Sequence, residues 1–249
     1  MSQEVTLSDH LKKYSINNAI IVIFANYKYK VKIDRRIKEL VSHKLTNYMI
    51  IALDNRLYTH LSNLKKNTWY SPCAINRTAD RPKLWIKRVN IIYEIVKLGY
   101  DILHMDGDAC MRRNVFNKID KDKADIFLAR GTVLPYDILH KWGFVIWFGF
   151  FYCKSSKNTI NFWLKMKEKV IKFQDDQVAM NHTLKESKII WDLKEENVIR
   201  IPFRQFKLKC SNSDVIGRDQ NGLTALVLPW KYFPRIKHDS NDPYLFDYL

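Results

Sequence analysis

At 249 residues, with 47% apolar and 13% aromatic residues and only 7 Gly and 7 Pro, the chain can bury a substantial core, and it falls outside the low-complexity and disordered classes. Its 42 Lys and Arg against 26 Asp and Glu give a formal charge of +16 and favour anionic partners. The cations are scattered, with no zinc-finger spacing, RNA-binding signature or basic tail, so no specific nucleic-acid partner is expected.

Residues 1–18 are polar and read as a peripheral segment; with Glu4 and Asp9 they do not look like a secretory signal. Ala19–Ala25 is a short apolar run, too short to cross a bilayer and suited to a buried parallel strand. The chain therefore reads as soluble and cytoplasmic, and its basic surface allows peripheral membrane association. Asn26 to Tyr29 follow as a strand-end loop. Apolar Ile37, Leu40, Val41 and Leu45 predict a helix over 34–46. A second strand over Tyr48–Leu53 ends at Asp54, and a short helix over 57–64 precedes an irregular stretch, 67–80.

Pro82 suits a first helical turn, and the apolar positions from Leu84 to Leu98 predict a helix of about four turns that stops at Gly99. The next strand, Ile102 to Met105, ends in Asp106-Gly107-Asp108. Further strands are expected over Ala124–Ala129 and, singly or as a pair, over Phe144–Cys153. Helices are expected over 158–173 and 176–184, with Asp175 or Asp176 at the second helix's cap. Residues 186–249 read as short strands and loops. Cys73, Cys110, Cys153 and Cys210 are widely spaced and read as reduced structural thiols.

Strand–helix alternation predicts an α/β fold, a mixed, mostly parallel sheet with helices on both faces. Ligands of such sheets bind at the carboxyl ends of the strands, where Asn26, Asp54, Asp106 and Asp108 should converge. An apolar strand delivering two carboxylates to a sheet edge suits a hard cation, Mn²⁺ or Mg²⁺, whose remaining ligands are water and substrate phosphate. Asp-Gly-Asp is also plain turn chemistry. No G-x-x-x-x-G-K-[ST] loop is present, which disfavours P-loop chemistry.

The segment from Arg81-Pro82-Lys83 through Gly99-Tyr100 to Asp106-Gly107-Asp108 resembles the nucleotide-diphospho-sugar transferase family of GT-A glycosyltransferases. Ile51-Ala52-Leu53-Asp54, Gly149-Phe150-Phe151-Tyr152 followed by Lys154-Ser155-Ser156, Asp176-Gln177 with Asn181, and a tail bearing His238 agree with that pattern in order. The resemblance implies a GT-A-like (Rossmann-like) single domain over 19–249, with a nucleotide-binding part to about residue 110 and an acceptor-side part beyond. It implies transfer of a sugar from a nucleotide-diphosphate donor, a UDP-sugar by family weight, to a glycan or glycoprotein acceptor. Asp106, Asp108 and His238 are the expected metal ligands, or Asp106 touches the ribose of the nucleotide while Asp108 holds the metal.

Arg81, Lys83 and Lys87 are candidates for the diphosphate, or for a solvated helix face. Asn26, Tyr27, Asp54 and Gly107 are candidates for the nucleotide, and the first three equally suit a strand-end turn. Asp176 and Gln177 are the catalytic candidates at the anomeric carbon, with Asp175 the alternative. Trp142, Trp147 and Phe148 suit an acceptor platform or the core. Two positions depart from the family pattern: Trp147 stands where Asn is usual, and Gly107, where Val or Ala is usual, widens the space near the metal. The competing classes are a phosphoryl or nucleotidyl transferase using the same acids and a basic nucleic-acid-binding protein.

Overall fold

Every residue of β1 (Ala19–Ala25) is buried, and its side chains alternate between two cores. Ile20, Val22 and Phe24 face one apolar cluster, while Ile21, Ile23 and Ala25 face the other. A strand buried on both faces must be central, with helices above and below. The computed structural model shows this, describing residues 5–109, 111, 114–131, 134–193 and 214–228.

Parallel neighbours β2 (Tyr48–Ala52) and β4 (Asp101–Met105) flank β1, and β3 (Thr68–Tyr70) adds to β2. Beyond β4 lie β6 (Ile146–Cys153), antiparallel to it, and then β5 (Ile126–Arg130). The sheet continues through β9 (Thr224–Leu228), β8 (Val215–Arg218) and β7 (Ile190–Trp191), giving nine strands in the order β3-β2-β1-β4-β6-β5-β9-β8-β7. On one face pack α4 (Arg81–Lys97), α6 (Lys157–Phe173) and α7 (Asp176–Glu186); on the other pack α2 (Lys30–Ser42) and α3 (Asn55–Asn63). The expected mixed α/β sheet with helices on both faces is the one observed.

Local differences have physical causes. The N-terminal segment holds α1 (Leu7–Tyr14), closed by a Thr6–Asp9 capping box, and its Leu11 is fully buried, so this segment contributes to the core. Helix α2 begins at Lys30, four residues before the expected start, because Ile33 joins Ile37 and Leu40 on its buried stripe. It ends at Ser42, before Lys44 takes a left-handed φ of 60°. Strand β3, three residues long, lies in a stretch read as irregular, and α5 (Tyr136–Trp142) was not expected. Phe144–Cys153 is one strand, not two. Gly99, at φ 91°, stops α4 and turns the chain into β4.

One irregularity matters for the site. Leu128 pairs with Phe151 but Ala129 pairs with Trp147, so residues 148–150 bulge away from β5. On the opposite side the bulge stays paired to β4: Met105 opposes Phe150, and the Asp106 amide donates to the Gly149 carbonyl at 2.7 Å. Among the described residues no helix is long and apolar enough to cross a membrane.

Candidate active site

Strands β2, β1 and β4 run in parallel and end together, so the residues following them share one edge. Asn26 follows β1, Asp54 caps α3 just past β2, and Asp106 follows β4. A cleft of about 470 Å³ opens there. Asp106 and Asp108 line it, with Asn26, Lys28 and Tyr29 from the β1 end and Arg77, Arg81 and Trp85 from the start of α4 and the loop before it. Two carboxylates thus share a cleft with three exposed or half-exposed cations, Lys28, Arg77 and Arg81.

Arg88 joins the two acidic motifs. Its Nη1 donates to Asp106 Oδ1 at 2.7 Å, its Nε donates to Asp176 Oδ2 at 2.8 Å, and its Nη2 also reaches Asp176. The guanidinium carbon lies 4.9 Å from the centre of the Phe148 ring, on the bulge of β6. Burial works against its charge, but Asp176 and Asp106 more than offset this and raise its proton affinity above the ordinary arginine value. Two carboxylates thus share one guanidinium. Burial pushes the Asp176 carboxyl up to about 7, against the pull of Arg88. Asp176 is 3% exposed and lies beneath Arg88, away from the cleft wall.

Asp106 is seated closely from its other sides. A Cβ on Gly149 would stand 2.4 Å from Asp106 Oδ2 and 2.4 Å from the Trp147 ring, so only glycine lets the β6 backbone approach the carboxylate. His104, fully buried among Phe24, Phe148 and Phe151, brings Nε2 to 3.6 Å from Asp106 Oδ1. Burial lowers its affinity for a proton.

The remaining sequence candidates divide. Arg81 and Asn26 line the cleft. Asp54 spends both oxygens on the backbone, accepting from the Leu57 and Tyr27 amides at 2.8 Å each, and thereby ties the β1 and β2 loops together. The Tyr27 ring packs against Arg56, with 4.3 Å between guanidinium carbon and ring centre. Lys83 pairs with Asp80 at 3.0 Å and Lys87 donates to the Pro72 carbonyl at 2.9 Å; neither stands on the cleft wall. Asp175 is the cap of α7, accepting from the Val178 amide at 2.8 Å, which separates its role from that of Asp176. Gln177 donates to the Leu134 carbonyl at 2.8 Å, holding α7 to the loop before α5. Trp142, Trp147 and Phe148 are all buried, so the acceptor-platform reading gives way to the core reading. The Cβ that Gly107 lacks would meet Ile33 and Tyr29, at 3.2 and 3.4 Å, so its smallness accommodates α2 and the turn before it.

Among the described residues no group of three or more His, Cys, Asp and Glu converges as a metal-binding set. The pair Asp106 and Asp108 fits a hard divalent ion that draws its other ligands from phosphate and water. His238 lies outside the described residues.

Sequence reasoning passed over Arg88. The signal was its position: with Leu84, Trp85, Ile92 and Ile95 it shares the apolar stripe of α4. A cation on a buried stripe requires an acidic partner.

The family model for nucleotide-diphospho-sugar transferases matches residues 43–245. The chain belongs to that family. As a nucleotide-diphospho-sugar transferase family member it is similar to Arabinosyltransferase RRA2 of Arabidopsis thaliana, 23% identical over 121 residues that make up 47% of this chain and 28% of the relative. Arabinosyltransferase RRA1 of the same plant is 22% identical over 121 residues, 47% of this chain and 30% of the relative. The chain thus aligns with less than a third of the length of these curated relatives. Among solved structures, the bifunctional glycosyltransferase WbbM gives a TM-score of 0.48 at 14% identity, covering 68% of this family member and 38% of that chain. The glycosyltransferase GlyE of Streptococcus pneumoniae TIGR4 gives 0.46 at 16% identity, covering 68% and 43%.

Proposed function

We propose that the chain transfers a glycosyl group from a nucleoside-diphosphate sugar, a UDP-sugar in our reading, to a hydroxyl of a glycan or glycoprotein acceptor, with Mn²⁺ or Mg²⁺ as cofactor. The observation that carries this is a carboxylate pair, Asp106 and Asp108, facing Lys28, Arg77 and Arg81 across one cleft at the strand ends. A diphosphate needs a cation held by acids and further positive charge around it, and this cleft supplies both.

In this reading Asp106 and Asp108 hold the metal, with His238 the expected third ligand. The bound ion supplies neutralisation of the charge that develops on the departing diphosphate. The bond between the anomeric carbon and the phosphate oxygen breaks, the acceptor oxygen bonds to that carbon and gives up its hydroxyl proton to the departing diphosphate or to water, and the nucleoside diphosphate leaves. Arg81, with Lys28 and Arg77, takes the diphosphate charge. Lys83 and Lys87 join only if they leave their partners Asp80 and Pro72.

Arg88 fixes the orientation of Asp106. Asp176, bonded to Arg88 from beneath, acts through that guanidinium as a positioning residue. Gln177 acts at one remove as well, through the Leu134 loop. Asn26 is the nucleoside contact that the cleft supports best, since its Oδ1 is buried and has no hydrogen-bond partner among the described residues.

The test is a donor screen by sugar-nucleotide hydrolysis with Mn²⁺, including UDP-arabinose because two relatives are named arabinosyltransferases. It is paired with thermal melts. UDP with Mn²⁺ at 100 times its Kd should add about 2.7 kcal/mol of stability. Stabilisation by DNA or RNA, with no response to any nucleoside diphosphate and metal, contradicts the proposal.

A further inference from the structure

The β4 ladder ends at Met105, and beyond it only the Asp106 amide still bonds to β6. Asp108, in the turn that follows, is 6% exposed and lines the cleft. Helix α2 meets the following chain at alternate residues. Gly107 sits against Ile33. The Ala109 carbonyl accepts from Arg36 Nη1 at 2.8 Å. The Met111 amide donates to Glu39 Oε1, and the Met111 carbonyl lies 2.8 Å from His43 Nε2, which therefore carries the hydrogen. Residues 33, 36, 39 or 40, and 43 form one stripe of a helix. Gly107 and Asp108 are the central residues of a turn that the Ala109 amide closes on the Asp106 carbonyl at 3.0 Å, so a helix holding Gly107, Ala109 and Met111 holds the turn that carries both acids.

The grip is polar at some cost. Arg36 is 3% exposed and pairs with Glu39, and an apolar pair would cover the same surface without desolvating two charges. What the polar set provides is donors and an acceptor matched to the backbone of residues 109 and 111. The same helix begins one residue after Tyr29, so it spans from the cleft wall to the far end of the motif.

We propose that Arg36, Glu39 and His43 are positioning residues whose hold on Ala109 and Met111 sets the spacing of the Asp106 and Asp108 carboxylates, and with it the affinity for the divalent cation. This rests on the cation reading of the cleft. Outer-shell partners of metal ligands act in this way, and their loss weakens binding about 10- to 100-fold.

The test is Mn²⁺ titration of the full chain without nucleotide, read from the paramagnetic resonance of free Mn²⁺. His43→Leu should weaken binding about tenfold, and His43→Gln, which restores an N–H donor, should return it to within about threefold of the parent. The two variants should melt alike, since His43 is half-buried and outside the core. If His43→Leu fails to fold, Arg36→Lys replaces it: the charge pair with Glu39 persists, the shorter donor loses the Ala109 carbonyl, and affinity should fall likewise. Equal Mn²⁺ affinity in the parent, His43→Leu and Arg36→Lys overturns the positioning role while leaving the cation reading intact. A parent chain that binds no Mn²⁺ or Mg²⁺ overturns both.

Discussion

Strand β4 carries an aspartate at each end, and the two have opposite surroundings. At the amino end Asp101 accepts from the Tyr152 hydroxyl at 2.6 Å, the Ser155 amide at 2.8 Å and the Lys121 ammonium at 2.5 Å. Every partner there belongs to a neighbouring strand or loop, and the carboxylate serves to staple the sheet edge. At the carboxyl end Asp106 shares one guanidinium with Asp176 and turns toward a cleft it shares with Asp108 and exposed cations. At the first end the carboxylate is held by partners inside the fold; at the second, two carboxylates share an open cleft with Lys28, Arg77 and Arg81. In the reading proposed above, the first is an acid that holds the structure and the second pair are acids that hold a ligand.

This contrast can be broken by mutation. The largest effect is expected at Arg88. Arg88→Leu strands Asp176 in a buried setting with no counter-charge, and should cost about 3–5 kcal/mol in urea unfolding, as loss of one partner of a buried pair does. It should also abolish metal-dependent nucleotide binding in whatever fraction remains folded. A loss under about 1 kcal/mol, the worth of a surface pair, would show that the network is exposed in solution.

At the other end, Asp101→Ala leaves the Tyr152 hydroxyl buried without its acceptor and should cost about 1–3 kcal/mol. Here nucleotide binding per folded molecule should stay unchanged. A parallel fall in binding would remove the distinction between the two ends.

The smallest expected effect is a pH dependence. Asp176 titrates near 7 in the folded chain, against 3.8 for an ordinary aspartate. The folded state therefore holds a proton that the unfolded state gives up. That contribution to stability is complete below the ordinary value and is lost as the pH rises through about 7. Between pH 6 and pH 8 it should fall by about 1 kcal/mol, and Asp176→Asn should flatten this part of the profile. A profile equally steep in the variant would place the titration elsewhere.

The carboxyl-end site was partly legible in the residues. An apolar run closing on Asp106-Gly107-Asp108 reads as a strand end with two acids, and the turn that the same residues suit is present there too. The central strands were legible for a similar reason: Ala19–Ala25 and Tyr48–Ala52 are continuously apolar and need cover on both faces. Arg88 was not, because cations on helices mostly face water, as Lys83 of the same helix does. Asp175 and Asp176 look alike in a row of letters; one residue of helical phase makes the first a cap and buries the second. The α2 grip was hidden for another reason. Its partners are backbone atoms of residues 109 and 111, about 70 positions away, and backbone partners leave no side-chain pattern to read.

The central claim is that the acids at the end of β4 bind a divalent ion that in turn receives a nucleoside diphosphate. Calorimetric titration of UDP into the parent chain and into Asp108→Ala, each with and without Mn²⁺, tests it most directly. The account predicts that the parent binds UDP far more tightly with Mn²⁺ and that Asp108→Ala, still folded, loses this dependence. Undiminished Mn²⁺-dependent UDP binding in Asp108→Ala would contradict it.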